Sequence, residues 1–400
     1  MKVYLDNAAT TKLDNEVLKA MLPYLKDQFA NPSSIHFSGQ KNHLALEEAR
    51  KKVAKYLKTS SDRIIFNSGA TEANNHIIKG VMEANKNKGN HLIVSSIEHP
   101  SVYQTALDLK KSGFKVDFLE VNKKGIVEPA SLKKLLKKET VLVSIMAANN
   151  EIGTKQPLEQ LIKLTKDNGS YFHSDLVQAI SYEDINIDKL GLDFASISAH
   201  KFNGPLGVGL SIINPNIAIK PLISGGGQEN NYRSGSYNLA GIVGLAKALE
   251  LTCENRKDNR RKVRELRDYF WKKLENRKKV KQLRDYFWLR LKKEIKDISL
   301  NGCLKRRLVN NLNVLFKNIE GEAILIDLSS KGIEVSTGSA CSAINLKSSY
   351  VLSAIGLKDE ELNSNIRFSL SKDNTKEEID YTINQLKKIT KRLRSFSPIK

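Results

Sequence analysis

Long apolar runs are missing from this 400-residue chain. No stretch approaches the roughly 20 residues that a membrane-spanning helix needs. The opening MKVYLDNAATT has no apolar signal core and reads as a strand and turn. No membrane or secretory role is expected, and a cytoplasmic location is. Cysteine is scarce too. Cys253, Cys303 and Cys341 are odd in number, far apart and in no metal-like spacing. That excludes a disulfide framework and a zinc site, so no metal is expected, and it fits a reducing compartment. Acidic residues are few: 44 Asp and Glu against 65 Lys and Arg leave a net charge of +21. The excess is concentrated, because residues 256–307 hold 21 Lys and Arg against 7 Asp and Glu. No RNA or DNA module signature accompanies it. It reads as a solvated helix face, with a docking surface for an acidic partner or tRNA as the alternative, and direct nucleic-acid binding is not expected.

What is present is an alternation. Up to about residue 250, helical stretches separate short apolar runs: RIIFNS (63–68), HLIVSS (91–96), KVDFLEV (115–121), TVLVSIMAA (140–148), SYFHSD (170–175) and DFASISAH (193–200). Such runs predict buried parallel strands in βα units. Their ends carry polar residues, and in open α/β sheets the site forms at the carboxyl ends of the strands. From about 251 the pattern changes to a long basic helix, shorter strands (RLVNNLNVLF, KGIEVST) and an amphipathic helix near 375–394. The expected division is a large α/β domain over 16–250 and a smaller α+β domain formed by 1–15 and 251–400.

A near-duplication lies in that second part. RKVRELRDYFWKKLE (261–275) recurs as KKVKQLRDYFWLRLK (278–292), an offset of 17. At about 100° per residue, 17 steps leave the two apolar faces about 100° apart on a straight helix. Either ENRKK (275–279) breaks the helix or one copy points elsewhere. A tandem duplication accounts for the pair without assigning it a function.

The chemistry-bearing residues sit at strand ends. Lys201 follows the apolar FASIS, and a semi-buried lysine with a lowered pKa is a nucleophile toward aldehydes. Asp175 ends another predicted strand, and a buried carboxylate needs a cation or several hydrogen bonds. The pyridinium nitrogen of pyridoxal phosphate is such a cation, and its sites pair a Schiff-base lysine with an acidic partner. Gln178 could donate to the ring oxygen. Gly69, Ala70 and Thr71 open a helix after a strand, as a phosphate cradle does; they read equally as a cap. Ser198 and His200 could complete the phosphate shell. His99, just past a strand, could stack on a flat ring and move protons near neutrality, or be a structural strand-end histidine. Cys341 lies in the small-residue stretch STGSACSAINL, where a thiol needs a positive neighbour or proton acceptor to become a thiolate. Cys253 and Cys303 read as structural.

Taken in order, YLDNAATT (4–11), NPSSIH (31–36), NSGATEANN (67–75), EHPSV (98–102), NNEIG (149–153), HSDLVQA (173–179), SAHKFNGPLGVG (198–209), GGGQE (225–229), RSGSYN (233–238), GSACSA (338–343) and IRFSLS (366–371) resemble the NifS/IscS-type (group I) cysteine desulfurases. These belong to the class-V aminotransferase-like enzymes of fold-type I. The resemblance implies a mainly parallel seven-stranded sheet with a smaller α+β domain, and pyridoxal 5'-phosphate as cofactor. It implies Lys201 as the Schiff-base lysine and Cα base, Asp175 on the pyridinium, Gln178 on the phenolic oxygen and His99 as stacking acid/base. Gly69, Ala70, Thr71, Ser198 and His200 would surround the phosphate, joined across a homodimer by Ser236, where the family usually has Thr. Asn150 and Arg367 would clamp the substrate carboxylate, with Asn150 also beside the cofactor. Cys341 would accept the sulfur of L-cysteine as a persulfide and pass it to an iron–sulfur scaffold or a tRNA-thiolation enzyme. Beside Ser236, the departures from the family pattern are Leu206 in GPLG, Asn230 after GGGQE, SAINLKSS after Cys341, and the repeat. The alternatives are another activity of this fold (selenocysteine lyase or aminotransferase) or an impaired basic scaffold or RNA-binding protein.

Overall fold

The computed structural model describes residues 1–265, 276–337 and 349–396, with side chains described outside 255–279. Seven strands form the main sheet: β2 (Ile64–Asn67), β3 (His91–Ser95), β4 (Lys115–Leu119), β5 (Thr140–Ser144), β6 (Tyr171–Asp175), β7 (Phe194–Ser198) and β8 (Gly209–Ile213), in the order β2-β8-β7-β6-β5-β3-β4. The mainly parallel seven-stranded sheet is therefore as expected. Only β8 runs against the rest, pairing antiparallel with β2 and β7. The short connection from Ser198 to Gly209 cannot cross over, so β8 must return antiparallel. The periodicity reading did not separate this strand, because GVGLSII follows a turn with no helical spacer.

Strand residues alternate between two apolar layers, as the pleat requires. Ile64, Phe66, Ile93, Val143 and Phe172 pack with the helices Asn15–Lys26 and Phe37–Leu57 and the start of Leu239–Glu265. Ile65, Leu92, Val94, Val116 and Leu142 face the helices Ala70–Ala84 and Pro100–Lys111. Both faces are covered, which explains why the strands read as continuous apolar runs.

A separate cluster gathers Val3, Leu5, Val280, Phe287 and Leu291 with β10 (Asn311–Phe316), β12 (Asn365–Ser369) and the helix Lys376–Phe396. β9 (Ile298–Leu300) and β12 flank β10 antiparallel. Ile379, Ile383 and Leu386 form the helix's apolar stripe. The expected strands were too long here. RLVN (307–310) lies before β10, and of KGIEVST only β11 (Ile333–Glu334) is strand, paired in parallel with β1 (Val3–Tyr4). Of ENRKK, residues 276–279 open the helix Asn276–Glu294, whereas residues 266–275, where the first copy would join it, lie outside the described residues. The second repeat copy buries Val280, Phe287 and Leu291 fully.

Residues 6–14 bridge the two regions. Ala8 N–H bonds to Ser369 Oγ at 2.9 Å, whereas Thr11 N–H bonds to His200 O at 2.9 Å and Asp14 N–H to Asn203 O at 3.0 Å.

Candidate active site

β2, β3, β5, β6 and β7 run in one direction, so their carboxyl ends share one edge of the sheet. Lys201 stands in the turn between β7 and β8. Its Nζ donates to the carbonyls of Ala8 and Ala9, both at 2.7 Å. Gln178 Nε2 donates to the same Ala8 carbonyl at 3.1 Å. The two side chains therefore meet on one oxygen of the 6–14 segment.

Asp175 ends β6 and is buried. Its Oδ1 accepts from Val177 N–H at 3.0 Å and its Oδ2 from Asn74 Nδ2 at 3.0 Å. Among the described residues it forms no ion pair, so a pyridinium nitrogen would supply the cation that a buried carboxylate lacks. Asn74 also donates to Ser101 Oγ at 2.8 Å, and Ser101 Oγ lies 2.8 Å from His99 Nδ1. His99 Nδ1 accepts the backbone N–H of Ser101 at 3.2 Å, capping the helix Pro100–Lys111 and leaving the ring proton on Nε2. Burial holds its pKa below the ordinary value, the Lys201 charge adds to this, and Asp175 opposes it. His99 is thus neutral at pH 7. Its structural and chemical readings coexist, since the cap uses one ring nitrogen and leaves the other.

Gly69 caps the helix Ala70–Ala84 with φ +149° and no side-chain cap bond, so the first N–H groups there have no side-chain acceptor. A Cβ on Gly69 would come 3.6 Å from Ser198 Oγ, and one on Gly209 would strike the Gly69 Cα at 2.6 Å. Backbone, hydroxyl and helix end thus converge at a turn whose close approach requires glycine at 209, and free N–H groups at a helix start suit a phosphate. Thr71 is exposed at that helix end. His200 Nδ1 lies 3.1 Å from Thr10 Oγ1, and burial, helped by Lys201, pushes its pKa down to about 4.

Arg367, on β12, is 2% exposed. Nη2 pairs with Asp6 Oδ1 at 2.7 Å and Nη1 donates to Asn150 O at 3.3 Å, while Nε has no hydrogen-bond partner among the described residues. A buried open guanidinium donor fits a carboxylate. Asn150 meets Arg367 through its backbone carbonyl. Ser336 and Arg367 exchange backbone bonds, and Ser349 Oγ donates to Glu151 Oε2 at 2.6 Å. The chain therefore leaves for residue 338 and returns at 349 beside this clamp; Cys341 itself lies outside the described residues. Ser236 is exposed in the loop after Gly235. Cys253 and Cys303 are buried, as structural cysteines should be. Leu206 is 72% exposed.

Sequence reasoning passed over several residues of this site. Asp6, Ala8 and Ala9 lie in YLDNAATT, and Asn74 in NSGATEANN, yet nothing local signals that they reach Arg367, Lys201 or Asp175. Glu98, beside His99, is fully buried, and burial pushes its pKa up to about 8. Its Oε1 accepts from Ser95 Oγ at 2.6 Å and Met146 N–H at 2.8 Å, and Oε2 has no partner.

Known proteins share this arrangement. The family described as Aminotransferase class-V, whose members are pyridoxal phosphate enzymes, matches residues 3–286 and again 274–382. The two matches overlap inside the repeat, as a pattern with one copy of that helix would. A protein named cysteine desulfurase IscS from Dictyoglomus turgidum is 48% identical over 399 residues, spanning 100% of this chain and 97% of its own. One of the same name from Methanosarcina thermophila is 42% identical, over 99% of this chain and 94% of its own. A solved NifS-like protein superposes with a TM-score of 0.89 at 38% identity, covering 98% of this chain and 100% of the other. A structure described as SspA in complex with cysteine gives 0.78 at 31% identity, over 94% and 100%. The chain belongs to the class-V aminotransferase family, in its cysteine desulfurase branch.

Proposed function

We propose that this chain takes sulfur from L-cysteine, releases L-alanine and holds the sulfur as a persulfide on Cys341. The observation that carries this is the meeting of Lys201 and Gln178 on one carbonyl, with Asp175 buried and, among the described residues, free of ion pairs at the neighbouring strand end. Lys201 would hold the aldehyde of pyridoxal phosphate, Asp175 its ring nitrogen and Gln178 its phenolic oxygen. Gly69, Ala70, Thr71, Ser198 and His200 would hold its phosphate, with Ser236 of a second copy. When bound, the cofactor supplies an aldehyde for the substrate amine and a ring that withdraws electrons from the substrate carbons.

Arg367 and Asn150 hold the substrate carboxylate, which fixes the Cα–H bond toward Lys201. Lys201 then takes the Cα proton. Neutral His99 carries a proton on Nε2 that can be delivered and recovered. The Cys341 thiolate attacks the substrate sulfur; the carbon–sulfur bond breaks, its electron pair goes to the substrate carbon, and that carbon is protonated. One S–S bond forms for one C–S bond broken, and no outside oxidant is needed. The persulfide then passes to a sulfur acceptor, which we assign to iron–sulfur cluster assembly, with tRNA thiolation as a further outlet. A homodimer in the cytoplasm, with a cofactor domain over 16–250 and a second formed by 1–15 and 251–400, completes the proposal. No helix among the described residues is long and apolar enough to cross a membrane.

The test is alanine and sulfide release from L-cysteine with a thiol reductant, comparing the wild type with Cys341→Ser on protein carrying the visible cofactor band. Equal yields of both products in the wild type, and neither in the variant, are expected. Alanine release that persists in Cys341→Ser would remove the persulfide route. A coloured wild type that yields neither product would remove the desulfurase reading.

A further inference from the structure

Asp6 lies 361 positions from Arg367 in sequence, yet its carboxylate is the anion that the buried guanidinium touches. The contact is made through one oxygen to one corner, Nη2. Nη1 is taken by the Asn150 carbonyl, and the buried Nε has no partner among the described residues. A side-on bidentate pair would occupy Nε and Nη2 together and close the group to any other anion. Here the guanidinium is held at two corners and left open at the third. The backbone around Asp6 is equally fixed. Asn7 Nδ2 donates to Ser369 O at 2.9 Å and Ala8 N–H to Ser369 Oγ at 2.9 Å, both on the strand that bears Arg367. Ala8 and Ala9 present their carbonyls to Lys201.

We infer that Asp6 is a positioning residue for substrate: it sets the orientation of Arg367 so that Nε faces the substrate carboxylate. The inference rests on the proposed role of Arg367 as the carboxylate clamp. Asp6 touches neither substrate nor cofactor in this role. Two effects of opposite sign compete. The Asp6 charge repels an incoming carboxylate, whereas its bond holds the guanidinium in register. Orientation dominates, because Asp6 binds Nη2 and leaves Nε to the ligand.

The experiment uses holoprotein carrying Cys341→Ser, so that no turnover follows binding. Changes in the visible cofactor band are titrated with L-alanine and with ethylamine, which is the same amine without the carboxylate. Asp6→Ala should weaken L-alanine about tenfold, the usual scale for one lost oriented hydrogen bond to a charged group, and leave ethylamine within about twofold. Asp6→Asn keeps an acceptor and should fall between Asp6→Ala and wild type; Asp6→Glu should recover part of the loss. If Asp6→Ala does not fold, Asp6→Asn must still weaken L-alanine selectively. Unchanged or tighter L-alanine binding, or equal loss for both ligands, would overturn the inference. Arg367→Lys is the separating control. If it loses the preference for L-alanine while the Asp6 variants keep it, the clamp stands and Asp6 falls. If it keeps the preference, the clamp reading itself falls.

Discussion

At the residue scale, titration follows burial. Glu98 is protonated in the fold at neutral pH, since its pKa of about 8 lies above the ordinary 4.5. A carboxyl raised in this way favours folding below its unfolded pKa, and that contribution is lost as pH rises through the folded value. Glu98→Gln keeps the neutral shape at every pH. Its melting temperature relative to wild type should therefore rise between pH 5 and pH 9, on the order of 2–4 °C for each kcal/mol relieved. A parallel pair of melting curves across that range would contradict the protonated Glu98. Such a residue is invisible in sequence, because EHPSV reads the same whether Glu98 faces solvent or core. The opposite holds for Lys201, Asp175 and His99. Each follows an apolar strand run, so their common edge was legible as soon as the strands were. Asp6 and Asn74 were not, because their value lies in contacts across the fold and their motifs carry no local chemical signal.

At the element scale the repeat is the informative case. Val280, Phe287 and Leu291 fill the second core, and Phe287 meets Phe368 edge to face at 4.9 Å. Deleting residues 275–291 joins Leu274 to Lys292 and sets Val263, Phe270 and Leu274 where those side chains now stand in the chain order. The deletion is therefore expected to keep fold and cofactor colour, with urea stability within about 1.5 kcal/mol, as for volume-conserving exchanges. Phe287→Ala in the full chain should instead cost about 3–5 kcal/mol. A deletion variant that fails to yield folded protein would show that the added helical length is itself structural. The 17-residue offset made the duplication plain in sequence. Which copy fills the core was not legible, because both copies carry the same apolar spacing. β8 was missed for a related reason: a strand that returns without a helix gives no change of period to read.

At the scale of the whole molecule, the proposed site needs a second copy. Ser236 is exposed, and the phosphate role we propose for it would be exercised from a neighbouring subunit. Lys201→Ala and Ser236→Asp should each be inactive as homodimers. Co-expressed with separable tags, they should recover about one site per mixed dimer, since one site then carries neither change. No recovery in purified mixed dimers would place Ser236 in the site of its own subunit, and an active Ser236→Asp homodimer would place it outside any site. The segment that bridges the two cores has a consequence in time. Asp6 is made early in synthesis, but Arg367 and Ser369, its partners' strand, arrive some 361 residues later. The clamp and the cradle of carbonyls around Lys201 can be completed only once that strand has emerged and docked. A chain that has emerged as far as Ile213, the end of β8, holds all seven strands of the main sheet, yet it has no finished chemistry: reactivity waits for the strand that bears Arg367.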